Sequence, residues 1–598
     1  MAHRPLVSLT LLASTVLAGC SGGEAPDPAG PAAPEQATAA ASRFATPLQV
    51  PNAAAACAAL AGLAVAASDI GEPTSGARVT AATFRPATPD RANASNTAMV
   101  QALPDYCQVL ADIAPVAASA PVIKVQVNLP ASWNGKSLQL GGGGLNGVLV
   151  TGEGPARMAG PATPLPLTRG YMTLGTDSGH DAATGVTFAA NDEALGNYAY
   201  AAYKKTRDVG VQLALAYYGQ PAEHAYYIGG SEGGREGLMM AQKYPQDFDG
   251  IVAVDPVIRL MGLWTFQFSQ GQIQSTPGAW LGGKTTLLHD TVVAACDALD
   301  GISDQVVSHT AACGPLAAAA LAARRCETGA DAGSACFSDA QLATLRWLYT
   351  GLLLPFDLAN GLASYPGYLF GSEGPAGFER GVIGAAAPVA DYTLAGTGGS
   401  YARGADFVRY FAARDPGYNV LAYDSASFRA RVQELSALMD WTNPDLSAFH
   451  ARGGKLIIRE NLADKGNSPQ TGIDYYDAVV ETLGQATVDE FFVAFGATGL
   501  GHTSNGVDAG TAGAPAYGIP GQSDLLGMID AWVTGGTAPA EAPVLELREP
   551  LPPYALVSSK PMCRFGFYPH FTGDPASGGA EAGNYRCTAA AASAPSAP

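Results

Sequence analysis

Apolar and polar positions alternate along residues 121–129, where Val122, Val125 and Val127 are interleaved with Lys124, Gln126 and Asn128. A period of two over that length predicts a strand, placed near the edge of a sheet. Trp133-Asn134-Gly135 reads as its turn, and residues 137–140 and 171–176 read as two further short strands. Two apolar runs follow: one ending at Gly230 reads as a short buried strand, and the continuous run at residues 251–254 suits a buried parallel strand. Helical spacing covers residues 199–218 and again 235–244, where Leu238, Met239 and Ala241 fall at helical intervals and Pro245 marks the stop. Strands that alternate with helices in this way imply an α/β sheet.

The alternation stops near residue 258. It resumes at residues 453–459, with a helix over 475–483, a strand over 491–495 and a closing helix over 522–534. The stretch between holds four of the cysteines, an acidic loop and several glycine-rich connections, and reads as an insertion. The expected organisation is a core in two parts, residues 56–257 and 451–590, interrupted by an inserted domain at 258–450, with residues 591–598 as a flexible tail.

Composition narrows the function classes. With 598 residues, 47% hydrophobic and 14% charged, the chain can bury a large core. A net charge of -19 excludes nucleic acid as a partner, because its phosphates would be repelled. Arg4, an apolar run over residues 6–17 and Ala18-Gly19-Cys20 form the charged, apolar and cleavage regions of a signal peptide at residues 1–19. Leu17-Ala18-Gly19-Cys20 also resembles a bacterial lipobox, which implies acylation of Cys20; a plain signal peptide with an incidental cysteine is the alternative. Residues 20–55, rich in Ala, Pro and Gly, read as a low-complexity tether. The expected location is the periplasm or the outer membrane, with the lipid anchor as the membrane contact. Of nine cysteines, eight then remain, an even number that points to disulfides in an exported chain. Eight allow on the order of a hundred pairings. Proximity in sequence suggests Cys57 with Cys107, Cys296 with Cys313, Cys326 with Cys336, and Cys563 with Cys587.

Candidate chemistry sits where the apolar run over residues 226–230 meets a helix. Gly229-Gly230-Ser231-Glu232-Gly233 has the layout of a nucleophile elbow, a strained strand-to-helix turn that lifts a serine hydroxyl above the sheet and leaves room only for glycine on either side. Such a serine needs a base, and the base needs a carboxylate, in the chain order serine, acid, histidine. Five histidines follow Ser231. His502 comes after the 491–495 strand in a glycine-rich loop, whereas His450 falls on a helix beside Arg452 and His309 inside a cysteine-bounded loop, positions that suit surface or structural roles. The acid belongs after the 453–459 strand, where Asp464 is the choice and Glu460 the competitor. An oxyanion hole needs two backbone donors: the Glu232 amide and one from the loop Gly141-Gly142-Gly143-Gly144-Leu145-Asn146-Gly147, with Gly144 favoured over the alternative of a merely flexible turn. In the insertion, the side chains of Asp297, Asp300 and Asp304 with the carbonyls of Ile302 and Val306 offer calcium a plausible oxygen cage of structural role; a solvated acidic loop is the plain alternative.

Gly233-Gly234-Arg235-Glu236-Gly237, Tyr244-Pro245 with Phe248-Asp249-Gly250-Ile251, Cys296-Asp297 with Asp300-Gly301, and Ile473-Asp474-Tyr475-Tyr476 together resemble the signatures of the tannase and feruloyl esterase family, over residues 57–587. The resemblance implies an α/β-hydrolase core with a lid at 258–450 inserted between nucleophile and acid. It also implies a triad of Ser231, Asp464 and His502, oxyanion amides at Gly144 and Glu232, and structural calcium in the lid. The implied activity is carboxylic-ester hydrolysis of a small-molecule aromatic ester through an acyl-enzyme, with feruloyl or other hydroxycinnamoyl esters first and tannin-like gallates next. The chain departs from the family pattern in one place. A cysteine before the serine and another after the histidine, which the family joins, are here Gly230 and Thr503. The family includes the hydrolase of mono-(2-hydroxyethyl) terephthalate, but the insertion offers no convincing match for the arginine that holds the terephthalate carboxylate. A non-catalytic, calcium-stabilised binding protein on a hydrolase fold is the rival reading, and a peptidase on the same fold a weaker one.

Overall fold

Six of the apolar runs lie side by side as parallel strands within an eleven-stranded sheet. The computed structural model describes residues 42–392, 396–506 and 515–590. In chain order the strands of the sheet are β1 (Ala64–Val65), β2 (Ala77–Arg85), β3 (Tyr106–Ile113), β4 (Ile123–Pro130), β5 (Lys136–Leu140), β6 (Met172–Thr176), β7 (His224–Gly230), β8 (Gly250–Val254), β9 (Lys455–Asn461), β10 (Phe492–Ala497) and β11 (Cys563–Arg564). Their spatial order is β11-β10-β9-β8-β7-β5-β6-β4-β3-β2-β1. The strands from β10 to β6 are parallel, and β4, β3, β2 and β1 continue the sheet antiparallel on one side, with β11 antiparallel on the other. β7, β8, β9 and β10 are neighbours although almost two hundred residues separate β8 from β9 in the chain. The four loops at their C-terminal ends are thereby brought together.

β4 is an interior strand, not the edge expected. It pairs with β3 on one side and β6 on the other, and of its residues only Lys124 is exposed. The alternation misleads because its polar face is buried in a hydrogen-bonded network: Gln126 donates to Asn128 at 3.0 Å and to Glu153 at 3.0 Å, and Asn128 donates to the Thr151 carbonyl at 2.6 Å. On the opposite face Val125, Val127 and Leu129 pack against the helix Ala202–Tyr218, through Val209 and Leu213. That helix is extended backwards by a π-helical turn over Asn197–Ala201 and stopped by Gly219 at a φ of 75°.

The segment between β8 and β9 is mainly helical, with Leu260–Gln274, Thr285–Cys296, Thr310–Ala323, Asp339–Thr350, Gly399–Asp406 and Arg429–Met439 as its longer helices and one short hairpin, Gly351–Leu353 with Ser364–Pro366. Its aromatic core, including Trp264, Phe266, Tyr365 and Phe411, is continuous with Phe188 and Tyr198 of the first core segment. After β10 come the helix Leu525–Gly535 and two further hairpins, Val544–Arg548 with Leu556–Pro561 and Phe567–Phe571 with Tyr585–Ala589.

The signal peptide, Cys20, most of the tether and the tail at 591–598 lie outside the described residues. The tether expected to reach residue 55 ends sooner. Phe44 is buried edge-on against Trp133, ring centroids 5.0 Å apart, and Leu48–Gln49 pairs with Ser132–Trp133. Four disulfides form: Cys57–Cys107, Cys296–Cys313, Cys326–Cys336 and Cys563–Cys587. No helix among the described residues is long and apolar enough to cross a membrane.

Candidate active site

Ser231 follows β7 with φ 60° and ψ -120°, a strained conformation, and opens the helix Glu232–Lys243. The flanking glycines are there for space. A Cβ on Gly229 would overlap the Gly233 carbonyl, and one on Gly233 would fall 2.7 Å from the Gly142 carbonyl oxygen. His502 lies in the loop after β10, half-buried, with its Nε2 2.8 Å from Ser231 Oγ and its Nδ1 2.6 Å from Asp464 Oδ2. That pattern assigns the ring proton to Nδ1, which donates to the carboxylate and leaves Nε2 to accept from the serine hydroxyl. Asp464 is fully buried after β9, and its Oδ1 accepts from the amides of Gly466 at 2.6 Å and Asn467 at 3.2 Å.

Burial pulls the His502 imidazole down, but the charge and hydrogen bond of Asp464 and the charge of Asp255 overcome it and leave the ring above its ordinary value, with Arg403 opposing. Glu460, the competing acid, lies within β9, and among the described residues neither of its buried oxygens makes a hydrogen bond. Burial first, then Asp255 and Asp464, raise its carboxyl well above the ordinary carboxylate range.

The glycine loop is fastened to the helix that carries the elbow. Glu236 accepts from Tyr227 Oη, from the Gly142 amide at 3.2 Å and from Asn146 Nδ2 at 2.7 Å. The Gly141 amide is occupied by the Ile228 carbonyl. Among the described residues, no protein acceptor is found for the Gly143 and Gly144 amides or for the first helical amide, Glu232 N–H. Gly144 and Glu232 border the same cleft as Ser231 and His502, with a volume of about 610 Å³ and an apolar wall that includes Leu260, Leu263 and Trp264. The inserted segment does supply an arginine to this cleft, where the sequence offered no convincing one: Arg403 lines it, as does Arg157 from the core, and neither makes an ion pair among the described residues.

Sequence reasoning missed Asp255. It follows β8 fully buried, and one of its oxygens, one of Asp464 and a ring nitrogen of His502 lie within 4.8 Å of one another. Such a trio could ligate a metal, but both His502 nitrogens are already engaged by Asp464 and Ser231. The available signal was a carboxylate directly after a buried strand adjoining the nucleophile's strand.

In the acidic loop, Asp297 Oδ1 accepts from the Asp304 amide at 3.1 Å, Asp300 Oδ1 from the Ile302 amide at 3.2 Å, and Asp304 Oδ1 from the Val306 amide at 3.1 Å. Asp300 is fully buried, its Oδ2 makes no hydrogen bond among the described residues, and burial raises its carboxyl to about 6 against the Lys560 charge and the Ser308 hydroxyl. Lys560 Nζ is 3.7 Å from Asp304 Oδ2. Three carboxylates against one ammonium leave two negative charges in a buried place, together with an orphaned oxygen, and this donor set fits a divalent hard cation. The three do not converge within 4.8 Å of one another, so an ion with ligands at about 2.4 Å would draw them together.

The family model described as tannase and feruloyl esterase matches residues 107–588. An uncharacterised esterase of Agrobacterium fabrum is 33% identical over 545 residues, covering 89% of this chain and 93% of that protein. A probable feruloyl esterase B-2 of Aspergillus terreus is 29% identical over 443 residues, covering 73% and 77%. The crystal structure of feruloyl esterase B from Aspergillus oryzae shares the fold with a TM-score of 0.70 at 23% identity, covering 90% of this chain and 100% of that one. With an α/β-hydrolase sheet, an elbow serine and matches over this length, the chain belongs to the tannase and feruloyl esterase family of carboxylic-ester hydrolases.

Proposed function

We propose that the protein hydrolyses esters of aromatic acids with Ser231 as nucleophile, His502 as base and Asp464 as the carboxylate that orients it, feruloyl and other hydroxycinnamoyl esters being favoured and gallates next. The observation that carries this reading is the unbroken hydrogen-bond line from Ser231 Oγ through His502 to Asp464, opening on a cleft with apolar walls. Ser231 Oγ forms a bond to the ester carbonyl carbon as its proton passes to His502 Nε2. The carbonyl π pair moves to oxygen, where the amides of Gly144 and Glu232 receive the negative charge. Collapse breaks the bond to the alkoxy oxygen, which leaves with the proton from Nε2, and water repeats the sequence to free the acid. Arg403, whose guanidinium makes no ion pair among the described residues, favours as a second reading esters that carry a free carboxylate in addition.

The segment at 258–450 serves as the lid, since Leu260, Leu263, Trp264 and Arg403 form part of the cleft wall. Calcium held by Asp297, Asp300 and Asp304 with the Ile302 and Val306 carbonyls would add a structural charge to the lid. Export through the N-terminal signal suits four disulfides, which persist in oxidising compartments; anchoring at Cys20 rests on the lipobox resemblance. The family's tie between elbow and histidine loop has no counterpart at Gly230 and Thr503, since all four bridges join other residues.

The test is turnover of methyl ferulate, a gallate ester and p-nitrophenyl esters by wild type and Ser231→Ala. The variant is expected to lose about a millionfold in kcat, and phosphonate labelling at Ser231 is expected only in the wild type. Full turnover by the variant would end this reading.

A further inference from the structure

Asp255 holds together three pieces of chain that the chemistry needs in register. Its own amide donates to the Arg459 carbonyl at 2.8 Å, its Oδ1 accepts from the Asn461 amide at 2.6 Å, and its Oδ2 accepts from the Thr503 amide at 2.7 Å. Asn461 ends β9, which leads to Asp464; Thr503 follows His502; and Val254, just before Asp255, is the register partner of Gly230 in the elbow strand. The carboxylate therefore spans the gap between the strands beside Ser231 and the histidine loop, the place where this chain has no disulfide. Its backbone stands at φ 46°, a left-handed conformation that strains a residue with a side chain and persists where surrounding bonds fix it.

We infer that Asp255 is a positioning residue for His502 and a second negative charge on its imidazolium, acting beside Asp464 without taking the proton. This rests on the assignment of Ser231, His502 and Asp464 made above. The charged and titratable groups around Asp255 are Asp464, His502, Glu460, Arg459 and Arg157. Burial disfavours a charge on Glu460, and the two arginines supply the positive charge that lets two carboxylates lie near one histidine. Burial and the Asp464 charge raise the Asp255 carboxyl to about 6, while each of its oxygens accepts from a backbone amide, the arrangement that suits the carboxylate. With both oxygens engaged by backbone amides, its charge stays fixed relative to the ring through the catalytic cycle.

The experiment is a kcat, KM and pH-rate series on p-nitrophenyl acetate for the full-length protein carrying Asp255→Gly, which suits the left-handed backbone, or Asp255→Asn, which keeps the shape and one acceptor. Asp255→Gly is expected to lower kcat about tenfold with KM within about twofold. Losing the charge lowers the histidine's affinity for a proton, so the acidic limb of kcat/KM moves to lower pH by about half a unit in both variants. Asp255→Asn is expected to recover part of kcat while the limb stays shifted. A limb at the wild-type position in both variants, or a lower melting temperature with kcat intact, reduces Asp255 to a packing residue and overturns the inference. Ser231→Ala in the same series separates the two claims. If it retains turnover, the active-site assignment and this inference fall together; if it abolishes turnover while the Asp255 variants behave as wild type, only this inference falls.

Discussion

Glu460 near the end of β9 and Asp464 just beyond it meet opposite fates, decided by what each oxygen touches. Asp464 receives two amides and a histidine; Glu460 receives no hydrogen bond among the described residues, and burial raises its carboxyl. A carboxyl whose proton affinity the fold raises above its unfolded value of about 4.3 makes stability depend on pH. Its contribution is intact below the unfolded value and declines as pH rises toward the folded one. Glu460→Gln, a neutral near-isostere of the protonated acid, removes that decline. It is expected to melt at a higher temperature than wild type at pH 8 and at the same temperature near pH 4, with kcat close to wild type. Calorimetry across pH and turnover at pH 7.5 check both parts, and an activity loss comparable with that of Asp464→Asn would transfer the role of acid to Glu460. The choice between these two was legible in the sequence only as far as strand length could be judged, because β9 runs on to Asn461 and encloses Glu460. Asp255 was not legible, because its meeting with His502 depends on sheet order: β8 and β9 are far apart in the chain and adjacent in space.

Elements with strong local patterns were readable, and those whose pattern serves a distant partner were not. The parallel strands β7 and β8 read correctly because burial on both faces demands unbroken apolar runs. In β4 the buried Gln126 and Asn128 imitate a solvent face. The antiparallel strand β2, with Arg78, Thr80 and Thr83 among small apolar residues, carries too weak an alternation to be seen. The loop between Cys296 and Cys313 tests whether an element can depend on something other than packing. One disulfide closes it, yet three carboxylates, one with an unpartnered buried oxygen, repel within it. A bound divalent cation at a hundredfold excess over its Kd would add about 2.7 kcal/mol. Thermal melting is therefore expected to fall by several degrees on adding a chelator and to recover with calcium, and elemental analysis of the purified protein is expected to find calcium. An unchanged midpoint with no bound metal would leave the loop as a plain acidic turn held by its disulfide.

Across the whole molecule the covalent ties and the chemistry are kept apart. Cys57–Cys107 joins the short helix Ala53–Ala58 to β3 in the antiparallel half, Cys296–Cys313 and Cys326–Cys336 lie within the inserted segment, and Cys563–Cys587 ties β11 to the last hairpin. None joins the loops that carry Ser231, Asp464 and His502, whose register depends on backbone amides, on Asp255 and on the clamp of Glu236. Stability and turnover should then respond differently to reduction. The sequence separation is 50 residues for Cys57–Cys107 and 10 for Cys326–Cys336. Loop closure in the unfolded chain makes the first worth about 4 kcal/mol and the second about 3. Replacing Cys57 and Cys107 by alanine is expected to lower the urea midpoint more than replacing Cys326 and Cys336, and to leave kcat on p-nitrophenyl acetate within about twofold while the protein stays folded. If removing either bridge lowered kcat tenfold at temperatures well below unfolding, the register of the catalytic loops would depend on strain carried through the sheet or the inserted segment, and the hydrogen bonds described above would not suffice to hold it.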